Sequence, residues 1–205
     1  MGASKLVDLK FCPYCRGRLV ARLLFDKHRL VCTQCGRIVH QNHRVAVSTI
    51  AFTTTGHMVL VRRAIEPGYG RWVIPGGYSE VGEKLDKAAM RETLEEVEIK
   101  PISDRLVLSG LYSYPSTDLI LVVYAIQVER SVLTWGPECL EARWFSFRDI
   151  PWSSLVFDST KDALHDWLAA NGSCWQSGLE GRAVDTERQW PRRQAGEHPS
   201  TVQPQ

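Results

Sequence analysis

Two short apolar runs, RVAVSTIAF over Arg44–Phe52 and HMVLVRR over His57–Arg63, are rich in β-branched residues and read as strands. TTTG lies between them as a turn, so the pair predicts a hairpin. After the loop IEPGYGR, the residues WVIP form a short strand that runs into GGYSEVGE. From Lys84 to about Val97 the pattern changes. Ala88, Ala89, Met90, Leu94 and several glutamates are good helix formers, and no Gly or Pro interrupts them. Pro101 forbids a long continuation, though the helix end can run on towards it. Two further apolar segments, about Leu106 to Tyr112 and Leu119 to Val128, flank a turn-like YPSTD, and ARWFSF reads as another strand. A last helix is expected from near Ser159, where Ser159 and Asp162 match an S-x-x-D capping box. Its Leu164, Trp167 and Leu168 sit at helical spacing and are expected to pack on a sheet. Strands outnumber helices in a mixed order, which predicts an α/β (α+β) sandwich with helices covering a mixed sheet.

The expected organisation is a leader over 1–10, a compact unit over 11–40, a main domain over 44–170 and a disordered tail over 171–205. In the tail Gly, Ser, Pro, Gln, Arg and Glu dominate. The 205 residues suffice for one domain with its own core plus a small module. A net charge of +2 is too mild to argue for a nucleic-acid partner. The longest apolar run, Leu119 to Ile126, is far too short to span a bilayer, and MGASKLVDLK lacks the apolar core of a signal peptide. No membrane partner is expected, and the expected location is the cytoplasm.

Six cysteines sort into two classes. Cys12 and Cys15 form one C-x-x-C pair, Cys32 and Cys35 another, with sixteen residues between the pairs. Each pair can turn two sulfurs onto one ion, and four thiolates close a tetrahedral structural zinc site. A segment of about thirty residues cannot bury a core of its own, so metal binding would supply its folding energy. His40 and His43 stand nearby, but four sulfurs already fill the shell. Cys139 and Cys174 are expected to be free thiols. The basic residues Arg16, Arg18, Arg22, Lys27 and Arg29 fit nucleic acid or an ordinary solvated surface; the reading adopted is a structural or dimer-forming module, which leaves a homodimer open.

Glutamates crowd the end of the predicted central helix: Glu92, Glu95, Glu96 and Glu98. Helix C-termini carry partial negative charge, so carboxylates there cost stability. At about 100° per residue Glu92, Glu95 and Glu96 fall within an arc of about 100°. Left alone they repel, and a divalent cation with a preference for hard oxygen ligands resolves the repulsion. The alternative is a solvated acidic helix partnered by Lys84 and Lys87, which lie at the wrong end for that purpose. Gly76 and Gly77 precede the helix in a loop that lets the backbone approach a phosphate or a metal. Arg91 can orient a carboxylate through a bidentate pair.

Gly77, five residues, Glu83, seven residues and then Arg91-Glu92-Thr93-Leu94-Glu95-Glu96 resemble the Nudix box, G-x5-E-x7-R-E-U-x-E-E-x-G-U, where U is a bulky aliphatic residue. Every charged position is present and Ile99 fills the last U. Thr93 replaces the first aliphatic residue and Glu98 replaces the glycine, which would suit a left-handed helix cap. The flanks VRRAIEPGYGRWVIPGG and EARWFSF also look like the family.

The resemblance implies an α/β/α sandwich that hydrolyses a nucleoside diphosphate linked to another group, with Mg²⁺ or Mn²⁺. It implies Glu92 and Glu96 as metal ligands, with Glu95 as a third and Gly77 beside them, and Arg91 and Glu83 as the pair that orients them. Glu95, Glu96, Glu138 or Glu141 would be the general base. A zinc ribbon ahead of such a domain is similar to NADH pyrophosphatases and to smaller members acting on ADP-ribose or FAD. The array S-Q-P-W-P-F-P-x-S of the former is replaced here by LYSYPSTDL. Trp72, Tyr112 and Tyr114 are candidates to stack on a base, or core residues. Arg62 and Arg63 are candidates for phosphate, and strand alternation allows only one to face the site. Two alternatives are a nucleotide sensor that does not cleave and a nucleic-acid-binding zinc module.

Overall fold

A computed structural model describes residues 9–103 and 105–176. Most of the expected leader and tail, 1–8 and 177–205, lies outside the described residues. The chain forms two compact units, residues 1–44 and 45–205.

In the first unit, β1 (Leu19–Leu24), β2 (Lys27–Cys32) and β3 (Ile38–Val39) form an antiparallel three-stranded sheet in sequence order. Its packed cluster is Cys12, Leu19, Leu30 and Cys32, with Val39 against them, and Val31 is buried as well. That is too little apolar surface to hold a fold without a staple.

The second unit is built on an eight-stranded sheet. It contains β4 (Arg44–Phe52), β5 (His57–Arg63), β6 (Trp72–Val73), β7 (Gly76–Tyr78), β8 (Val97–Pro101), β9 (Val107–Tyr114), β10 (Leu119–Trp135) and β11 (Cys139–Ser146). The main order is β11-β5-β4-β10-β8, with β6 on β5, β7 on β4 and β9 on β10. The expected hairpin is present: Phe52 pairs with Met58, and Thr53 N–H donates to the His57 carbonyl.

Two helices, α1 (Leu85–Glu96) and α2 (Asp158–Gln176), complete the unit. Period-2 alternation decides which face each strand residue serves. Ile50 and Phe52 of β4, Met58 and Leu60 of β5, and Leu121 and Val123 of β10 share one cluster with Ala163, Leu164 and Trp167 of α2. Their neighbours point the other way. Val47 and Val122 pack with Ala88 and Ala89 of α1, and Ala51, Val59, Val61 and Ile126 lie in a second cluster on that side. Both faces are covered, which is why these strands read as nearly continuous apolar runs. The expected fold class is therefore the observed one.

Several boundaries differ from expectation. The central helix does not run on to Pro101. It stops at Glu96, and β8 begins at once with Val97 and Ile99 buried while Glu98 and Lys100 face out. The last helix starts at Asp158 and continues through 171–176, six residues into the segment expected to be disordered. Ser159 lies within it, and Asp162 accepts a hydrogen bond from the Tyr114 hydroxyl at 2.8 Å, so a capping box does not describe this start. β10 extends seven residues past Val128, because its far half pairs with β8 after a register shift between Glu129 and Thr134. Among the described residues no helix is long and apolar enough to cross a membrane.

Candidate active site and metal centre

The candidate site is laid down where β7 meets the C-terminal half of α1. In β7, Gly76 and Gly77 lie against β4, paired with Ser48 and Val47. A Cβ on Gly77 would lie 2.2 Å from Glu92 Oε2, so only glycine lets this strand and that carboxylate share the space.

Arg91 organises the acids. Its Nε and Nη2 donate to Glu83 Oε1 and Oε2, both at 2.9 Å, in a bidentate pair. Its Nη1 donates to Glu92 Oε1 at 2.8 Å and to Glu95 Oε2 at 3.3 Å, and Nη2 also reaches the Tyr78 carbonyl at 3.3 Å. The guanidinium hydrogen bonds hold the Glu83 carboxyl below its usual range. One arginine thus holds Glu83 and offsets two of the carboxylates that looked unpartnered in the sequence, Glu92 and Glu95.

Glu96 has a different environment. It is 8% exposed and accepts the Gly76 N–H at 2.9 Å. Burial pushes its carboxyl up to about 7; Gly76 N–H and the Arg63 charge oppose this, while Glu92 and Glu138 add to it. The expectation that Glu92, Glu95 and Glu96 all converge is met only in part. Glu95 leans to Arg91 with 60% of its side chain exposed, whereas Glu96 turns inward.

Thr93, which replaces an aliphatic residue of the motif, is fully buried. Its hydroxyl donates to the Ala89 carbonyl at 2.6 Å, so the polar atom is satisfied inside the helix. Glu98 needs no left-handed conformation, because the chain is already extended at Val97 (φ −150°, ψ 129°). Its carboxylate instead accepts the Thr134 hydroxyl.

The other expected residues separate into near and far. Glu138 lies close enough for its charge to raise the Glu96 carboxyl. A tight turn holds it: Cys139 N–H donates to the Gly136 carbonyl at 3.1 Å and Ala64 N–H to the Glu138 carbonyl at 2.8 Å. Glu141 is drawn away into pairs with Arg143 and, at 3.8 Å, Arg62.

Of the two candidate arginines, Arg63 is the one whose charge acts on Glu96. Arg62 donates from Nε to the Gly70 carbonyl at 2.8 Å. Trp72 is a core residue, 9% exposed and edge-on to Phe145 at 4.9 Å between ring centres. Tyr112 donates to Asp166 Oδ2 at 3.1 Å and packs on the α2 cluster. Burial pushes the Cys139 thiol, at the start of β11, up to about 12.

Gly136 was not singled out from the sequence. Its N–H donates to the Glu96 carbonyl at 3.1 Å, and a Cβ there would lie 2.1 Å from the Glu95 carbonyl oxygen. It closes the end of α1 against the turn that carries Glu138. The Gly-Pro dipeptide marks a turn, but nothing in the sequence says what the turn touches.

Both expected metals fit the donors present. In the first unit the sulfurs of Cys12, Cys15, Cys32 and Cys35 all lie within 4.8 Å of one another, with Cys15 to Cys32 at 3.4 Å and Cys12 to Cys35 at 3.8 Å. Tetrahedral zinc thiolate sites place sulfurs about 3.8 Å apart. Among the described residues this is the one group of three or more ligand atoms gathered so closely. At α1, Glu92 and Glu96 offer hard oxygen donors beside the Gly76–Gly77 backbone. A buried carboxyl held up near 7 by burial and like charge is the environment a divalent cation relieves.

Comparison with known proteins places these features. An "ADP-ribose pyrophosphatase" of Methanocaldococcus jannaschii is 32% identical over 125 residues, covering 59% of this chain and 68% of the relative. A "NAD-capped RNA hydrolase NudC" of Pseudomonas aeruginosa is 30% identical over 143 residues, covering 69% of this chain and 49% of the relative. The chain thus spans about half the length of the NudC relatives it matches. A crystal structure of a NUDIX hydrolase from Nitrosomonas europaea superposes with a TM-score of 0.72 at 29% identity, covering 83% of this chain and 94% of that one. Residues 42–168 match the NUDIX domain family, and with the box residues assembled as described this chain belongs to that family.

Proposed function

We propose that this protein is a Mg²⁺- or Mn²⁺-dependent hydrolase that cleaves the pyrophosphate of a nucleoside diphosphate linked to a second group. The observation that carries this reading is the arrangement at α1: Arg91 locked to Glu83 and Glu92, and Glu96 buried against Gly76 N–H. A nucleotide sensor has no need to hold four acids in this costly arrangement. The names of the relatives support this substrate class, since ADP-ribose and NAD both join a nucleoside to another group through a pyrophosphate.

In this reading Glu92 and Glu96, with Glu95 able to swing in from the surface, hold the cation. When bound, the cation would neutralise phosphate charge and polarise a phosphorus–oxygen bond. The remaining work falls to the chain. Arg91 and Glu83 fix the orientation of Glu92. Gly77 keeps room for that carboxylate and brings backbone close to the substrate's phosphates. Arg63 supplies positive charge that acts on Glu96. Glu138, held by its turn, takes a proton from the attacking water. The water oxygen bonds to one phosphorus, the bridging phosphorus–oxygen bond breaks, and two phosphomonoesters leave. Zinc on the four cysteines, a closed set of sulfurs with no open position, is structural.

The test is turnover by the pure protein with Mg²⁺ or Mn²⁺ on ADP-ribose, FAD, NADH, dinucleoside polyphosphates and nucleoside triphosphates. ADP-ribose or a related dinucleotide is expected to be cleaved, and Glu96→Gln to lose turnover by orders of magnitude while folding normally. A folded, zinc-loaded protein that cleaves none of the panel, or a Glu96→Gln variant that stays active, overturns the reading.

A further inference from the structure

The charge of this chain is divided between its two units. Residues 1–44 hold nine Lys and Arg against two Asp, whereas residues 45–205 hold sixteen against twenty-one Asp and Glu. A near-neutral total therefore conceals a small, strongly basic module.

The β1–β2 hairpin concentrates that charge. Arg22 sits directly opposite Arg29, and Lys27, two residues from Arg29, shares their face. Like charges directly opposed across strands are destabilising, and among the described residues none of the three has an acidic partner.

The turn at the tip is also costly. Phe25 and Asp26 both adopt the left-handed conformation (φ 52° and 59°), where hairpins ordinarily use Asn and Gly. Phe25 is a bulky residue for that conformation, and it is 84% exposed. Leu23 beside it is 65% exposed, and Phe11 is equally so. A structural zinc module needs neither the unpaired cations nor an exposed ring on a strained turn.

We propose that this hairpin binds single-stranded nucleic acid, with Arg22, Lys27 and Arg29 on successive phosphates and Phe25 stacked on an unpaired base. The chemistry fits: cations that repel one another are relieved by a polyanion, and exposed aromatic faces accept bases of any sequence. A duplex keeps its bases stacked on each other and offers Phe25 nothing. The surface belongs to the first unit alone and uses none of the residues proposed for hydrolysis.

Fluorescence anisotropy of the zinc-loaded full chain tests this, with a fluorescein-labelled single-stranded oligouridylate of about twenty nucleotides and the matching duplex as probes. Single strands are expected to bind and duplex more weakly. With three phosphate contacts, affinity is expected to fall roughly twentyfold between 50 and 200 mM salt. Phe25→Ala is expected to weaken binding about five- to a hundredfold with zinc content intact. Arg22→Gln with Arg29→Gln should both weaken it and flatten the salt dependence. Three results overturn the proposal: no binding of single strands at 50 mM salt, binding that neither variant alters, or binding to phosphatidylserine vesicles with none to the oligonucleotide.

Discussion

Gly77 and Glu92 occupy adjoining space so closely that a single methyl group on the glycine would lie 2.2 Å from the carboxylate oxygen. The Gly77→Ala variant is therefore expected to push Glu92 off its position beside Arg91. Its kcat should fall by about a hundredfold or more, since misplacement of order 1 Å is enough for that. Thermal unfolding and metal-dependent turnover, measured together, check this. Full turnover by a folded Gly77→Ala protein would remove Glu92 from the site.

Arg91 serves Glu83, Glu92, Glu95 and the Tyr78 carbonyl at once. Lysine keeps the charge but cannot reproduce the fork. Arg91→Lys is expected to lose most activity, roughly the tenfold to thousandfold range, with only a modest change in melting temperature. Glu83→Gln should cost little more when added to Arg91→Lys than the latter costs alone, because the two residues act as one unit. Fully additive losses in the double variant would contradict the coupling.

Glu96 makes metal-free stability depend on pH. Its folded carboxyl is raised to about 7 from an ordinary 4.5. The protonated form is thus the one the fold prefers. Its contribution is fully present below pH 4.5 and is lost as pH rises through about 7. The span is on the order of 3 kcal/mol. Chelator-treated protein should lose stability relative to Glu96→Gln across this window, and Mg²⁺ should restore it above pH 7. Parallel denaturation curves for the two proteins would rule the effect out.

Glu98 lies in an extended, outward-facing position of β8 and not at a left-handed cap. Restoring the motif's glycine with Glu98→Gly is therefore expected to destabilise the fold by roughly 0.5–1 kcal/mol, the usual cost of glycine in a strand. Chemical denaturation reads this directly, and a stabilised variant would mean that the helix end rearranges.

Cys32 is both a sulfur of the quartet and a core residue of the first unit, 2% exposed. Cys32→Ser should release the zinc and unfold residues 11–40 without abolishing the second unit's melting transition. Metal analysis with calorimetry decides it, and an unchanged zinc content would exclude these four sulfurs as the site.

The sequence alone determined the elements whose logic is local. Apolar runs rich in β-branched residues made β4 and β5, helix formers without Gly or Pro made α1, and matched C-x-x-C spacing brought four sulfurs together. The resemblance to the box likewise named Glu83, Arg91, Glu92 and Glu96; the helix carries the last three, and Glu83 precedes it.

Only the tertiary structure decided the rest, because those outcomes depend on what lies across space. Whether the chain after Glu96 turned left-handed or entered a strand was settled by β10, which offers β8 a partner. Whether the acids were bare was settled by Arg91, and the burial of Glu96 by β7 and Gly76. Trp72 and Tyr112 read equally well as stacking or core residues until α2 and Phe145 closed over them. Gly136 gave no local signal for its role, because a glycine's significance is the backbone it approaches, and here that backbone, at Glu95, lies forty-one residues earlier in the chain.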